Sequence, residues 1–177
     1  MAPSRPGGWL ARRLVVLAML MPSAAHLEAH AADGAENDLK AAYVYNFVVL
    51  ATWPTDLPQV LRICIAGNAD AKVFGVLAGK VVRDRTLSVV AVATPGQTAD
   101  CAVLYIPPIE ARRLGAWLTA VANRPTLTIS DQAQVEGAIV NLRIVGQQIV
   151  FDVDIGAAAA ARIQLSSQLI KLAARRK

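Results

Sequence analysis

The chain has 177 residues, 55% of them hydrophobic, and a formal net charge of +5. Removing residues 1–31, which have the pattern of an export signal, leaves 15 basic and 12 acidic side chains. Three of these basic residues are the tail Arg175, Arg176 and Lys177, so the folded part is nearly neutral, which argues against a nucleic-acid surface. The length predicts a single domain after a processed segment.

The first residues have the pattern of a secretory signal peptide. Arg12 and Arg13 precede an apolar run over 14–21, and small residues follow it. This run is too short to span a bilayer, which requires about 20 apolar residues. We therefore expect export to the periplasm without stable membrane insertion. Cleavage is expected after Ala31, with Ala25 as the alternative, so the signal peptide is 1–31 and the mature domain 32–177.

Short apolar stretches then alternate with helical patterns. A helix capped by Asp38 is predicted from Leu39 to the residue before Pro54, with Asn46 as a buried amide. Strands are predicted over 61–66, 87–93, 102–106 and 127–129, and helices over 70–78 and after Pro108. Such alternation is typical of βαβ units around a mostly parallel sheet.

The C-terminal part combines a hairpin with a helical pattern. Strands over 138–145 and 148–153 flank a turn at Gly146. The residues that follow predict one helix over 157–174; the alternative is a break near 163–165, with Ser166 capping a second short helix. We therefore expect one α/β domain, Rossmann-like, with flanking helices and a C-terminal antiparallel hairpin.

The sequence offers few groups for catalysis. Its two histidines, His26 and His30, lie in or beside the signal segment, and no glycine-rich phosphate-binding motif is complete. We therefore expect no enzyme, no cofactor and no metal site. Asp152 and Asp154 are two residues apart on a predicted strand and share one face. They could form an acid/base pair or hold a cation, but a solvated sheet face explains them better.

Two cysteines remain, Cys64 in the first predicted strand and Cys101 at the start of the third. An exported domain with two cysteines favours one disulfide, and these strands can be neighbours in a doubly wound sheet. The alternative is two free, buried cysteines that pack as small hydrophobic side chains.

Several blocks resemble one known family. They occur in family order and include K-A-A-Y-V-Y-N-F-V-V-L-A-T-W-P, I-C-I-A-G-N, C-A-V-L-Y-I-P, L-T-I-S-D and G-A-I-V-N-L-R-I-V-G-Q-Q-I-V-F-D-V-D. Over about 39–174 the chain is similar to the YfiR-like family of periplasmic regulatory proteins. Cysteines at similar positions recur in that family. Where the family usually has Asn, this chain has Asp154, which keeps the acceptor role of an amide but loses its donor.

The resemblance implies a regulator that represses or modulates an inner-membrane signalling protein, such as a diguanylate cyclase or a sensor protein, through its periplasmic part. We expect the partner to contact an outward strip of the C-terminal helix formed by Ile163, Ser167 and Ile170, and a homodimer is a further expected assembly. The alternative function is a small-molecule-binding module. Its ligand would lie at the carboxyl ends of the strands near Gly67 and Asn68, or at the position of Asp154.

The signal pattern generates the first testable prediction. Exported protein should begin at Ala32, or at His26 if the earlier site is used, because signal peptidase cleaves after small residues. N-terminal sequencing of the periplasmic fraction measures this directly. A cytoplasmic protein that retains Met1 would contradict it.

Overall fold

The structure, a computed structural model, describes residues 25–54, 58–67, 71–132, 136–146 and 148–177, with side chains from residue 34 onward. Residues 1–24 of the predicted signal peptide lie outside these ranges, and its cleavage stays a prediction. The chain divides into two compact units, Met1–Ala35 and Glu36–Lys177. The second unit contains the sheet and all the packing contacts given below.

Regular elements occupy most of the described ranges. The α-helices are α1 (Ala25–Leu50), α2 (Leu114–Ala120), α3 (Ile155–Ala160) and α4 (Ser167–Leu172). The strands are β1 (Ala51–Thr52), β2 (Val60–Ala66), β3 (Val81–Val82), β4 (Arg85–Val92), β5 (Val103–Ile106), β6 (Leu127–Ser130), β7 (Val140–Val145), β8 (Gln148–Val153), β9 (Gln164–Leu165) and β10 (Arg175–Arg176). Three 3₁₀ helices are Ala71–Leu77, Pro95–Gln97 and Pro108–Arg113.

Eight strands form the main sheet, in the order β10-β8-β7-β6-β5-β2-β4-β3. The five neighbouring strands β7-β6-β5-β2-β4 pair in parallel. At the two sides of this group, β3 runs antiparallel to β4, and β8 runs antiparallel to β7. The predicted α/β class, mostly parallel sheet and antiparallel hairpin are confirmed. The central strands β5 and β6 are buried at every residue, as parallel strands covered on both faces require.

Helices cover the two faces of this sheet. On one face, α1 places Phe47 against Phe151 of β8, with ring centroids 5.0 Å apart, in the larger of two apolar clusters. On the other face, the fully buried Trp117 of α2 packs with Leu104 and Ile106 of β5. Alternate residues of β2 and β5 thus serve different cores.

The prediction of Asn46 as a buried amide is wrong, because this residue is exposed. Leu39 is 46% exposed and Asn46 is exposed, while Val44, Phe47 and Val48 are buried. Val44, Phe47 and Val48 are three and four positions apart, so the buried face is still a helical stripe, but it lies on a different side of the helix from Leu39 and Asn46.

The start of that helix also differs from the prediction. The predicted cap, Asp38, lies inside α1, which begins at Ala25. At the other end, the Arg83 guanidinium donates to Val49 O at 2.9 Å and to Ala51 O at 3.0 Å. A cation from another segment therefore satisfies carbonyls at the C-terminal end of α1.

The prediction of a single helix over 157–174 is wrong, and the alternative with a break is found. Arg162 adopts φ 58°, in the left-handed region, and Ile163 N donates to Ala158 O, so α3 ends there. Leu165 of β9 then pairs with Ala51 of β1. Ser166 Oγ accepts from Leu169 N at 3.1 Å and caps α4.

The basic tail is not simply a solvated C-terminus. Arg175 and Arg176 form β10, which pairs in parallel with β8, and Lys177 N donates to Val153 O at 3.0 Å. The hairpin strand β8 is therefore not the edge of the sheet, because β10 covers part of it.

Cys64 and Cys101 are joined by a disulfide, with their Cα atoms 5.7 Å apart. Cys64 lies within β2, and Cys101 lies two residues before β5, its parallel neighbour. Both residues are buried in the α2-side core. The bridge thus links the two central strands at which the sheet order reverses direction.

The disulfide should raise the free energy of unfolding by a measurable amount. It links residues 37 positions apart, and the chain-entropy relation gives a stabilisation of about 3–4 kcal/mol for such a loop. The double variant Cys64→Ala/Cys101→Ala should lose about that free energy of unfolding in urea denaturation. Reduced wild-type protein is the control, and two freely alkylated thiols in native protein would contradict the bridge.

Candidate functional site

Ligands of doubly wound sheets commonly bind beyond the carboxyl ends of the strands, where the strand order reverses. Here that point lies between β2 and β5, directly after Ala66 and Ile106. Gly67, the first residue after β2, has φ +80°, and a Cβ placed on it would overlap the carboxyl group of Glu110. Both the backbone conformation and the close approach of Glu110 therefore require glycine here.

Glu110 is held at this point by two partners. Its Oε2 accepts from Trp117 Nε1 at 2.8 Å and lies 3.3 Å from Arg113 Nη1. The carboxyl group is nearly buried, and the Arg113 guanidinium also lies over the Trp117 ring, 5.3 Å from its centroid. A protein side chain thus packs against Gly67 at the point where doubly wound folds usually hold a ligand.

A second buried cluster lies at the end of β6. Asp131 Oδ2 accepts from Tyr105 Oη at 2.6 Å and is 2.7 Å from Lys40 Nζ, which also lies 2.6 Å from Glu36 Oε1. Lys40 and Asp131 are almost fully buried. Because an isolated buried charge is costly, this pairing ties α1 to the carboxyl edge of the sheet.

A third polar group forms a row across the sheet. Ser130 of β6 is in register with Asn141 of β7, Asn141 with Asp152 of β8, and Asp152 with Arg175 of β10. Residues in register on neighbouring strands have side chains on the same face. Their sequence neighbours Val140 and Val153 belong to the core beneath α1, so the polar row faces the opposite side of the sheet.

This row forms part of the wall of an open cleft of about 340 Å³. The cleft is lined by Glu136, Ala138, Asn141, Asp152, Val153, Asp154, Arg175 and Lys177. Asn141 is 6% exposed, yet its Oδ1 has no hydrogen-bond partner within the described ranges, and neither has the buried Ser130 Oγ. Buried polar atoms are normally paired, so the unpaired Oδ1 of Asn141, a residue that lines this cleft, singles the cleft out as a candidate site.

The two acidic residues of β8 have separate structural partners. Arg143 donates to both carboxylate oxygens of Asp152, at 2.8 and 2.9 Å. Asp154 Oδ1 accepts from Ala157 N at 2.7 Å and caps α3. The sheet face that carries Asp152 is therefore not simply solvated, because the carboxylate is held in a bidentate ion pair.

The predicted ligand-binding residues that the structure describes do not form one common site. Gly67 lies at the β2 end beside Glu110, Asp154 lies in the cleft, and Asn68 falls outside the described residues. A ligand role for any of them stays a prediction.

The predicted partner strip is also divided. Ile163 is 3% exposed and belongs to the core, whereas Ser167 is exposed and Ile170 is partly exposed. The break at Arg162 turns Ile163 inward, so its placement on an outer strip is wrong. A partner role for Ser167 and Ile170 stays a prediction.

Sequence reasoning missed Asn141, Asp131 and Glu110. A weak signal existed for Asn141, because an amide between Val140 and Leu142 interrupts an apolar run within a strand. Asp131 directly follows a strand, at an edge where functional groups often gather. Glu110 carried no signal, since a charged residue in the first turn after Pro107-Pro108 is ordinary on a helix surface.

Tyr105 and Lys40, in the buried cluster at the end of β6, make the free energy of unfolding depend on pH in the alkaline range. Burial, then the charge and hydrogen bond of Asp131, raises the pKa of Tyr105 above its ordinary value of 10.0. Burial alone would lower the pKa of Lys40, but bonds and charges from Asp131 and Glu36 outweigh it and raise that pKa above 10.5. Both groups hold their protons more tightly when folded, so their stabilisation is present below about pH 10 and is lost at higher pH.

We therefore expect Tyr105→Phe to reduce the fall in the free energy of unfolding between about pH 9 and 11. Urea denaturation across that range measures it, and Tyr45→Phe, at a partly buried residue of α1, is the matched control. An unchanged alkaline slope in Tyr105→Phe would show that Tyr105 titrates alike in the folded and unfolded states.

Comparison with known proteins adds one positive finding. Residues 37–174 match the YfiR/HmsC-like family, and the chain has no match among curated proteins. The matched range includes β1–β9, both cysteines, Asp131 and Asn141, and ends just before the two arginines of β10. Because the match covers well over half of the chain, this protein belongs to the YfiR/HmsC-like family.

Proposed function

We propose that this protein is a periplasmic regulator of cyclic-di-GMP signalling, which acts on the periplasmic part of an inner-membrane signalling protein such as a diguanylate cyclase. The observation that carries this proposal is the family match over residues 37–174, because the family is regulatory rather than catalytic. The export pattern at the N-terminus agrees with it. None of the helices in the described ranges is both long and apolar enough to cross a membrane.

The buried ionisable groups support a binding role over a catalytic one. Glu110 is engaged by Trp117 and Arg113, and Asp131 by Lys40 and Tyr105. These groups are fixed in structural pairs, whereas a general acid or base needs access to a substrate proton.

The partner surface we propose is the outer side of α4, at the end of the matched region. Leu172 is 63% exposed and Ser167 is exposed, while Ile170 is partly exposed. Leu172 is the large exposed apolar side chain of α4, and it offers a contact for another chain. The same surface would serve a homodimer if two copies of the chain associate.

A small-molecule-binding module is the second candidate, favoured by the unpaired Oδ1 of Asn141 at the cleft wall. The two functions are compatible, since a regulator can respond to a ligand. The regulatory function requires a membrane partner, whereas the binding of a small molecule does not.

The regulatory proposal is tested by Leu172→Asp. A carboxylate at this exposed position should leave folding intact but weaken an apolar contact, because it must be desolvated in the complex. In cells that lack the chromosomal copy, wild-type protein should restore a low cyclic-di-GMP level, and Leu172→Asp should restore at most about half of that repression.

The matched control is Val76→Asp, at a residue 57% exposed in the 3₁₀ helix Ala71–Leu77 beside β4, near the opposite edge of the sheet. It should repress like wild type. Unchanged cyclic-di-GMP after deletion of the wild-type copy would reject the regulatory role, whereas normal repression by Leu172→Asp would reject only the surface.

A further inference from the structure

We propose that the end of the sheet formed by β10 and the last turn of α4 binds the surface of an anionic lipid bilayer. The residues that carry this proposal are Lys171, Arg175 and Arg176, which we call the cationic edge. Binding to lipid requires no signalling partner. The proposal and the regulatory role can therefore fail separately.

Positive charge is concentrated in one part of the chain. Residues 155–177 contain five basic residues and no acidic one. The mature chain has 15 basic and 12 acidic residues, so residues 32–154 hold 10 basic and 12 acidic ones. The near neutrality of the whole domain thus conceals a strongly basic C-terminal segment, and such an asymmetry is typical of a surface that meets an anionic partner.

The fold presents three of these cations together. Arg175 and Arg176 form β10, the outermost strand on that side of the sheet, and Lys171 lies in α4, four positions before Arg175. All three residues are exposed, and none forms an ion pair within the described ranges. Consecutive residues of a strand project to opposite faces, so β10 carries one cation on each side of the outer edge.

The acidic residues beside β10 do not cancel this charge. Asp152 is paired with Arg143, and Glu136 with Lys177. Asp154 caps α3 and keeps its charge. The three cations of the edge, less this one carboxylate, leave a surplus of two positive charges for an external anion.

The form of this surface favours a bilayer over an acidic protein. The side chains of the cationic edge are long, exposed and without partners in the described structure, so they do not impose fixed positions on the anions that they meet. Lipid headgroups move laterally and can adjust to such cations, whereas the carboxylates of a folded protein cannot. Ile155 is 43% exposed, and its N donates to Lys177 O at 2.9 Å, so an aliphatic side chain adjoins β10. Cations next to an exposed aliphatic group suit the interface of a bilayer.

Binding of this kind is weak and reversible. Each cation near an anionic surface contributes roughly a factor of five in affinity, so three of them concentrate the protein at the membrane without fixing it there. Leu172 follows Lys171 directly in α4. If the proposed function holds, the cationic edge therefore brings the proposed partner surface close to the membrane that contains the partner.

Co-sedimentation with vesicles tests the proposal. The exported protein is mixed with vesicles of phosphatidylcholine alone, or of phosphatidylcholine with about 30% phosphatidylglycerol. We expect binding to the anionic vesicles and little to the neutral ones. Affinity should fall at least about tenfold when the ionic strength rises from roughly 0.05 to 0.3 M, because the Debye length becomes shorter.

Matched variants separate the cationic edge from the net charge of the protein. Arg175→Gln/Arg176→Gln should lower the affinity for anionic vesicles about 25-fold, at about fivefold for each cation. The control Arg112→Gln/Arg124→Gln removes the same charge from two exposed arginines, one after β5 and one before β6, three or more strands away from β10. It should change the affinity by at most about twofold.

A second pair of variants distinguishes charge from geometry. Arg175→Lys/Arg176→Lys should bind within about twofold of wild type, because a bilayer attracts positive charge and does not require the planar fork of arginine. Lys171→Gln, in α4, should lose about fivefold and provides the test if the Gln variant of β10 does not fold. Melting temperatures verify that each variant is folded.

Four results would overturn the proposal. If wild-type protein does not bind anionic vesicles, the arginines only protect an edge strand from pairing with other chains. Binding to soluble polyglutamate but not to vesicles would assign the cationic edge to an acidic protein. Equal losses in the two Gln double variants would show that only net charge matters. A loss in the Lys variant as large as that in Arg175→Gln/Arg176→Gln would show recognition by the guanidinium fork, which a bilayer does not require.

Discussion

The need to cover both faces of the central parallel strands shapes this molecule. The strands β5 and β6 are buried at every position, so helices must pack on both sides of the sheet. The helix α1 covers one face through Phe47, and α2 covers the other through Trp117. The disulfide lies within the α2-side core and joins the segments of β2 and β5. Both apolar cores contain residues of β2 and β5, so the two cores depend on the same pair of strands.

The same constraint determines how the carboxyl edge of the sheet is used. Chain segments that leave buried strands bring polar groups with them, and those groups must find partners. Glu110 reaches Gly67 and Trp117, while Asp131 reaches Lys40 and Tyr105. These pairs hold α1 and α2 to the ends of the central strands. Protein side chains therefore fill positions at which many doubly wound folds hold a ligand.

Two buried polar atoms that find no partner among the described residues, Ser130 Oγ and Asn141 Oδ1, lie instead towards the C-terminal edge. There the register of β6, β7, β8 and β10 aligns Ser130, Asn141, Asp152 and Arg175 in one row. The short strand β10 contributes the last of these and lines the cleft with Lys177. A tail of three basic residues, unremarkable in the sequence, becomes part of a cavity wall because its backbone pairs with β8.

Local patterns were sufficient for the class of fold and for most strands. Apolar runs bounded by Gly, Pro and Asp predict β2, β4, β5 and β6 within two residues. The run is most continuous where burial on both faces requires it, as in β5. The hairpin β7–β8 followed from its Gly turn. The break between α3 and α4 was less predictable, because only one residue, Arg162, has to adopt the left-handed conformation.

Composition, local periodicity and motif order were enough to predict export and to identify the family and an α/β sheet with two cysteines near each other. Tertiary structure alone decided which side chains meet. Lys40 and Asp131 are 91 positions apart in the chain, and Asn141 and Arg175 line the same cleft from strands on either side of β8. Such pairs arise from strand order and register, which join segments distant in sequence and leave no periodic trace in either one.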